Sequence, residues 1–331
     1  MVAIPIGESL SEPGVVVNPG GGSLPSRALR LACLGVVRPV VRHYPITPLT
    51  MPLASAVVDG LARLRPMPSG VEREQVRLSG FRMEILRPAG ARRALRDGVV
   101  MYLHGGGFFL CGLDTHRPVA AALARRTGLS VLNVDYRQLP ATRISDSVED
   151  CLTAYRWLLR HGVDPARIVF AGDSAGGFLT FATALRAVEV GLPAPAGLVG
   201  LSPALDLDCA AKRDYLNIAR DPYIPLSAME QMVRYGTDGE CSALSPVNGA
   251  LAGLPPALLI VGEDELPRYD CELMARRLTA AGVPNSLELW RGQVHAFMSI
   301  LPNLPESRSA LGRVARFVRA RVESGRVART A

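Results

Sequence analysis

Lysine is nearly absent from this chain of 331 residues: Lys212 is the only one, and every other basic residue is an arginine. The formal net charge of +7 would suit a nucleic acid or an anionic membrane as a partner. The arginines are scattered along the chain, however, and form no compact basic run. We therefore interpret their excess as codon bias of a GC-rich genome and expect no nucleic-acid partner.

Closely spaced cysteines are also missing. The six cysteines form neither a C-x-x-C pair nor a Cys/His cluster with the spacing of a zinc site, which argues against a metal centre. Several fall on predicted apolar faces, so we expect buried free thiols in a reducing compartment, the cytoplasm. These cysteines are Cys33, Cys111, Cys151, Cys209, Cys241 and Cys271.

A long apolar run and a secretion signal are absent as well. The N-terminus lacks an early basic region, and prolines and glycines interrupt residues 13–25. The apolar stretch from Leu31 to Val37 is far too short to cross a bilayer, so we expect no stable membrane insertion. The same prolines and glycines predict that residues 1–25 form a flexible arm without regular structure.

The chain does contain apolar strand patterns that alternate with helical ones between residues 99 and 290. This alternation indicates an α/β fold with a mostly parallel sheet that helices cover on both faces. Residues 74–78 and 82–86 predict an antiparallel pair in front of it. The length and the 48% of apolar residues suit one large domain or two small ones. We assign residues 71–331 to one catalytic domain.

Two predicted helices, at residues 26–42 and 53–64, precede the first of these strands. They have apolar sides and lie outside the strand–helix alternation, so those sides need a surface to cover. We therefore expect residues 26–70 to form a helical cap segment over the functional site. Residues 206–250 have weak strand character and are a candidate for a further contribution to this cap.

The most informative motif is Gly172-Asp173-Ser174-Ala175-Gly176, a G-x-S-x-G pattern directly after a predicted strand. Its two glycines let a strand turn sharply into a helix, with the serine held in a strained conformation at the tip. Ser174 is therefore the candidate nucleophile. A serine hydroxyl is a poor nucleophile at neutral pH, so it requires a base to take its proton.

A second motif, His104-Gly105-Gly106-Gly107, follows the strand predicted at residues 99–103. Glycine-rich loops of this kind supply backbone N–H groups to an oxyanion hole. We predict Gly106, Gly107 and Ala175 as the donors, because glycine allows close approach of the backbone and Ala175 directly follows the nucleophile. His104 is expected to brace the loop and not to act as a second base.

The candidate base is a histidine near the C-terminus. Enzymes with this elbow place the acid and then the histidine after the serine, with the histidine behind the last strand. Of the five histidines, His295 alone fits this order. Substitution of His116 or His161 is expected to be close to neutral.

Three consecutive carboxylates, Glu263, Asp264 and Glu265, follow the buried strand at residues 258–261. The acid of such a site holds the imidazole in the correct tautomer and stabilises the imidazolium. We select Asp264, keep Glu265 as its main rival and place Glu263 behind both. Asp270 is interpreted as a charge near the N-terminus of the following helix.

With these residues the chain resembles the hormone-sensitive-lipase-like (bacterial family IV) esterases of the α/β-hydrolase superfamily. The resemblance implies an α/β-hydrolase fold with an N-terminal cap, and hydrolysis of carboxylic esters without a cofactor, usually of short or medium acyl chains. It spans about residues 99–298 and rests on the two motifs above together with Val134-Asp135-Tyr136-Arg137, Leu201-Ser202-Pro203, Gly253-Leu254-Pro255-Pro256 and His295-Ala296-Phe297.

Three departures from the family pattern leave the proposed triad intact. From Gln138 to Ala141 the family usually has Leu-Ala-Pro-Glu. The pair Asp264-Glu265 stands where the family has Asp-Pro, which leaves the identity of the acid open. Ala296 stands in place of a glycine that usually follows the histidine.

The sequence thus predicts a serine carboxylesterase that acts on a small-molecule ester through an acyl-enzyme intermediate, and it is compatible with a homodimer. Hydrolysis of a lactone, an amide or an acetyl group of a specialised metabolite is a second interpretation, because the same groups serve it. A ligand-binding protein without activity is a third, since fold does not dictate activity; the pair Ser174 and His295 argues against it. A surface lipase, with the apolar helix at residues 31–41 touching lipid, is weaker than the cap interpretation.

Overall fold

The computed structural model describes residues 15–18, 20–90, 95–237 and 239–327, and within these ranges it contains a sheet of nine strands. The strands are β1 (Val15–Val17), β2 (Val71–Arg77), β3 (Arg82–Pro88), β4 (Val99–Leu103), β5 (Ser130–Asp135), β6 (Ile168–Asp173), β7 (Gly197–Leu201), β8 (Ala257–Gly262) and β9 (Asn285–Trp290). Their order across the sheet is β1-β9-β8-β7-β6-β4-β5-β3-β2. Neighbouring strands pair in parallel, except that β3 pairs antiparallel with both β2 and β5.

The central strands are apolar on both faces because both faces are covered. Every residue of β4, β6, β7 and β8 is buried. Since successive side chains of a strand point to opposite faces, Met101 and Phe170 belong to the core on one side of the sheet, and Val100 and Val169 to the core on the other. The predicted mostly parallel α/β fold is confirmed.

Helices pack on both faces of this sheet. Tyr155 of α5 and Phe178 of α6 belong to one core, while Val119 of α4 and Val314 of α11 belong to the other. No helix within the described ranges combines the length and the apolar character needed to cross a membrane. The α-helices of these ranges are α1 (Leu24–Ala32), α2 (Arg38–His43), α3 (Thr50–Arg63), α4 (Leu113–Thr127), α5 (Ile144–Arg160), α6 (Ala175–Glu189), α7 (Leu226–Gly236), α8 (Cys241–Leu244), α9 (Arg268–Ala280), α10 (Phe297–Ile300) and α11 (Pro305–Val327); the π-helix Cys33–Val37 joins α1 to α2.

The N-terminal strand corrects the prediction of a flexible arm. Val15–Val17 form β1, which pairs in parallel with β9 at the edge of the sheet. Asn18 reinforces the pairing, since its Nδ2 donates to the Arg291 carbonyl at 2.8 Å and its Oδ1 accepts from the Arg291 N–H at 3.0 Å. The prediction for residues 1–25 is therefore wrong at residues 15–17 and at residues 24–25, where α1 begins, while residues 1–14 and 19 lie outside the described residues. Three valines between prolines and glycines are enough to pair with an open sheet edge.

The segment predicted as a cap contains α1, the π-helix, α2 and α3. Several polar contacts connect it to the rest of the protein, among them an ion pair of Arg30 with Asp264. The Ser26 hydroxyl of α1 donates to the Glu306 carboxylate at the start of α11 (2.7 Å), and the Ile46 N–H donates to Oε1 of Gln231 in α7 (3.2 Å). These contacts hold the segment beside α7 and the start of α11.

Residues 206–250 form α7 and α8, and their described part contains no strand, as their weak strand pattern predicts. The single lysine anchors this segment: Lys212 Nζ lies 2.9 Å from Oδ1 of Asp270, and both side chains are fully buried. Asp270 does lie in the first turn of α9, but it is the partner of a buried cation as well as a helix-terminal charge. Burial raises the pKa of Asp270 to about 6 against the opposing effect of Lys212.

We expect Lys212→Met to lower the free energy of unfolding by about 3–5 kcal/mol, because it leaves the buried Asp270 carboxylate without its cation. The double variant Lys212→Met/Asp270→Leu should regain part of that loss, since the Asp270 carboxylate is removed as well, while the Asp206 N–H loses this carboxylate as its acceptor. Urea unfolding followed by circular dichroism measures both. Equal losses in the single and double variants would show that packing, and not the unpaired charge, causes the effect.

Candidate active site

Ser174 lies at a sharp turn between β6 and α6, with φ +52° and ψ −117°. A left-handed φ is strained for a residue with a side chain, and it turns the serine away from the strand direction. The glycines on both sides are required by close approach of the backbone. A Cβ on Gly172 would overlap the Gly176 carbonyl, and a Cβ on Gly176 would overlap the Leu103 carbonyl. The G-x-S-x-G segment therefore has the elbow geometry expected from its sequence.

His295 follows β9 and contacts a carboxylate through one side of its ring. Its Nδ1 donates to Oε2 of Glu265 at 2.7 Å, and both side chains are almost completely buried. Its other ring nitrogen, Nε2, is buried and has no hydrogen-bond partner among the described residues. Because His295 and Ser174 line the same cavity, this nitrogen is available to a hydroxyl or a ligand there.

The carboxylate beside His295 corrects the choice of Asp264. The three consecutive carboxylates after β8 have three different partners: Glu263 pairs with Arg291, Asp264 with Arg30 at 3.0 Å, and only Glu265 with His295. The Glu265 side chain folds back toward the strand, where its Oε1 accepts from the Gly262 N–H at 2.6 Å. Asp264 instead points toward α1 and is partly exposed.

A buried hydroxyl links Glu265 to the histidine loop. Ser202, directly after β7, donates to Oε1 of Glu265 at 2.8 Å and accepts from the Ala296 N–H at 3.0 Å. Burial opposes the charged form of the imidazole, but the Glu265 carboxylate outweighs burial and raises the pKa of His295. The site thus stabilises the imidazolium that would form when His295 takes a proton.

Two residues of the segment 206–250 hold the turn that carries Glu265. The Asn217 side chain donates to the carbonyls of Glu263 (2.9 Å) and Glu265 (2.8 Å). Asp221 accepts from the Leu266 N–H at 2.7 Å. Asn217 and Asp221 are fully buried. The sequence pattern does not reveal either residue, because both contact backbone groups more than forty positions away.

The glycine-rich loop after β4 lines the cavity. Gly106, with φ +114°, cannot carry a side chain, because a Cβ there would overlap the Leu110 carbonyl. The Gly106 and Gly107 N–H groups have no acceptor among the described residues, and both residues line the cavity with Ala175. Ala175 is the first residue of α6, so its N–H lacks an intrahelical acceptor as well.

His104 lies behind this loop in the neutral form. Its Nδ1 donates to the Gly105 carbonyl at 2.8 Å, and its Nε2 accepts from Gln138 at 3.3 Å. Burial and the neighbouring His116 lower the pKa of His104 to about 4. Gln138, one of the departures from the family pattern, also donates to the Cys111 carbonyl at 3.0 Å and so ties both ends of the loop together.

Asp173, next to the nucleophile, is the buried centre of a second network. Its carboxylate accepts from the Tyr102 hydroxyl (2.7 Å), the Gly105 N–H (3.2 Å) and His116 Nε2 (3.2 Å). Burial would raise the pKa of Asp173, but His116 and Tyr102 outweigh it and lower that pKa. His116 therefore supports the glycine-rich loop through Asp173. For this reason we no longer expect substitution of His116 to be neutral. The His161 ring bonds to the carbonyl of Trp157 at the exposed C-terminal end of α5.

One cavity of about 440 Å³ collects these groups. Its polar end contains Ser174, His295 and the loop glycines, and the rest is mainly apolar. Both predicted cap segments contribute apolar residues beside those of the catalytic domain: Val41, Ile46, Val58, Leu61 and Ala62 from residues 26–70, and Tyr223, Ile224, Met229 and Met232 from residues 206–250. A nucleophile, a base with its acid, and unpaired N–H groups around an apolar cavity are the components of an acyl-transfer site.

Comparison with known proteins agrees with this geometry. Residues 100–299 match the model of a family described as having the alpha/beta hydrolase fold. The chain is 34% identical over 317 residues to the carboxylesterase/phospholipase LipF of Mycobacterium tuberculosis, covering 92% of this chain and 84% of that protein. It is 37% identical to the esterase LipU of the same organism, covering 86% and 98%. A solved esterase from the bacterial hormone-sensitive lipase family superimposes with a TM-score of 0.81 at 32% identity, covering 91% of this chain and 99% of that one.

We expect Glu265→Gln to lower the pKa of His295, because the burial that opposes the imidazolium remains while the carboxylate that favours it is lost. Asp264→Asn should leave this pKa nearly unchanged, since Asp264 pairs with Arg30. Titration of the His295 ring resonances by NMR measures the shift. A larger fall in Asp264→Asn than in Glu265→Gln would return the role to Asp264.

Proposed function

Because this chain belongs to the hormone-sensitive-lipase-like family of α/β-hydrolases, we propose that it is a serine carboxylesterase acting on short- to medium-chain esters. The observation that carries the proposal is the buried contact of Glu265 with His295 in the cavity that also holds the strained Ser174. A purely structural histidine would not need a free Nε2 facing such a cavity. The apolar walls suit the hydrocarbon part of a small-molecule ester.

In the proposed reaction His295 Nε2 takes the proton of the Ser174 hydroxyl as Oγ attacks the ester carbonyl. The carbonyl oxygen becomes negative, and the N–H groups of Gly106, Gly107 and Ala175 stabilise it. Collapse of this intermediate breaks the bond to the alcohol oxygen, which receives the proton from His295. Water then attacks the acyl-enzyme with His295 as the base. The bond between the acyl carbon and Ser174 Oγ breaks, Oγ receives the proton from His295, and the carboxylic acid leaves. Glu265 stabilises the imidazolium in both halves of the reaction, acylation and deacylation, and remains ionised throughout.

We place the protein in the cytoplasm as part of the same proposal. All six cysteines are unpaired, and Cys33, Cys151, Cys209 and Cys271 are buried. Buried free thiols suit a reducing compartment. The proposed substrate is a small molecule, and neither a cofactor nor a nucleic acid takes part in the proposed reaction.

We expect Ser174→Ala and His295→Ala each to lower kcat by a factor on the order of 10⁶, because the two residues act as one unit. A chromogenic short-chain ester measures the rate, and a serine-directed phosphonate should label the native protein but not Ser174→Ala. His161→Ala is the control and should retain nearly full activity. A native protein that neither hydrolyses such esters nor reacts with the phosphonate would support a binding function instead.

We expect Glu265→Gln to lower kcat by roughly 10⁴, as the loss of the charged partner does in comparable triads. Asp264→Asn is the matched control, since it removes the neighbouring charge and should change kcat by less than about threefold. The same ester assay compares them. A loss in Asp264→Asn equal to that in Glu265→Gln would contradict the assignment of the acid.

We also propose that the two cap segments set the chain-length preference. Met232 of α7 lines the cavity, and a Cβ on Gly107 would contact its Sδ. Met232→Phe should therefore lower kcat/KM for long-chain esters several-fold more than for acetates. Leu53→Phe, on the exposed side of α3, is the control and should leave the profile unchanged. An unaltered profile in Met232→Phe would show that the chain does not extend toward α7.

A further inference from the structure

The N-terminal helices expose an unusual amount of apolar surface. Eleven of the sixteen exposed large apolar side chains in the described residues lie between residues 24 and 67. We call these eleven the cap face: Leu24, Leu31, Leu34, Val36, Val40, Leu49, Leu53, Val57, Leu61, Leu64 and Met67. Scattered apolar side chains are normal on a protein surface, but a continuous group on one segment marks an interaction surface.

The exposed apolar side chains at α3 form a stripe along one side of the helix. Leu53, Val57, Leu61 and Leu64 are 67%, 62%, 64% and 80% exposed, and their spacing places them on one side of the helix. Met51 and Ala62, which are buried, occupy the opposite side. The helix is therefore apolar toward the protein and apolar toward solvent, whereas a surface helix normally turns a polar side outward.

The charged residues of the same segment are almost all basic. Residues 24–67 contain six arginines, no lysine and a single acidic residue, Asp59. Arg27, Arg30, Arg38 and Arg63 bond to other residues of the described structure, whereas Arg42 and Arg65 are exposed beside the cap face. An apolar surface bordered by arginines complements a layer of anionic headgroups over hydrocarbon. It complements a second copy of itself poorly, because the arginines would face one another.

The cavity adjoins the cap face at Leu61. Leu61 is exposed and also lines the cavity, as do Val41, Val58 and Arg65 from the same helices. A surface seated on the cap face would thus adjoin this side of the cavity. This continuity distinguishes the cap face from an apolar patch elsewhere on the protein.

We infer that the cap face docks reversibly onto an anionic lipid surface, with the stripe of α3 among the headgroups and with Arg42 and Arg65 on lipid phosphates. Docking would place this side of the cavity against the lipid. It involves peripheral contact only, and it does not depend on hydrolysis, so the inactive Ser174→Ala protein should dock equally well.

The test is sedimentation of the full-length protein with vesicles of equimolar phosphatidylcholine and phosphatidylglycerol, against vesicles of phosphatidylcholine alone. We expect binding to the anionic vesicles that high salt reverses, and much weaker binding to the neutral ones. Val57→Gln should weaken binding roughly tenfold by removing apolar contact. Arg42→Gln should weaken it roughly fivefold by removing one charge near the surface.

Matched controls lie outside the cap face. Val188→Gln changes an exposed valine of α6 and Arg160→Gln an exposed arginine of α5, and neither should affect binding. Thermal unfolding confirms that each variant is folded. Absence of binding to anionic vesicles, or equal effects of Val57→Gln and Val188→Gln, would overturn the inference. A dimer in solution that Val57→Gln dissociates, without vesicle binding, would assign the face to a second copy of the chain.

Discussion

The buried carboxylate of Glu265 joins the ends of three neighbouring strands. It accepts hydrogen bonds from Gly262 at the end of β8, from Ser202 after β7 and from His295 after β9. Burial of an unpaired carboxylate would cost several kcal/mol, so these donors are a condition for keeping the charge inside the protein. The position of His295 therefore depends on the parallel pairing of β7, β8 and β9, and not only on its own loop.

A second layer of contacts comes from the segment between β7 and β8. Asn217 and Asp221 hold the backbone around Glu265, while Lys212 holds Asp270 a few residues later in α9. The same segment continues into α7, which supplies Met229 and Met232 to the cavity wall. Its fixed attachment to the acid turn explains how a long stretch without strands keeps a defined position over the sheet.

The sequence predicts the sheet, the elbow and the base, because each depends on local patterns. Apolar runs identify buried strands, glycine spacing identifies the turn around Ser174, and chain order leaves only His295. The acid is different, since three carboxylates occupy the same strand end. Choosing among them requires knowing which side chain turns back toward β7, and that depends on a contact with Ser202 far away in the chain. The Leu201-Ser202-Pro203 motif is visible in the sequence, but the sequence does not indicate which group the Ser202 hydroxyl contacts.

The same dependence on distant contacts explains why the sequence predicts neither the structural role of His116 nor the strand β1. His116 lies within a helical pattern, and its contact with Asp173 spans 57 positions. The strand β1 has only three residues and is stable because the edge of β9 is open to it. Periodicity and propensity describe neighbours in the chain. They carry no information about a partner that another element brings into place.

The cap helices present a problem that packing alone does not solve. The apolar residues that face the protein have a role in packing: Ile46 and Met51 belong to the core, and Ile46 and Ala62 line the cavity. Leu53, Val57 and Leu64 of the outward stripe do not line the cavity, and exposed leucines lower solubility without adding stability to an isolated chain. Polar side chains at Leu53, Val57 and Leu64 would leave every described contact of the cavity intact. An apolar outward side is explained if the helix spends part of its time against another apolar surface. The arginines around it favour one bordered by anionic groups.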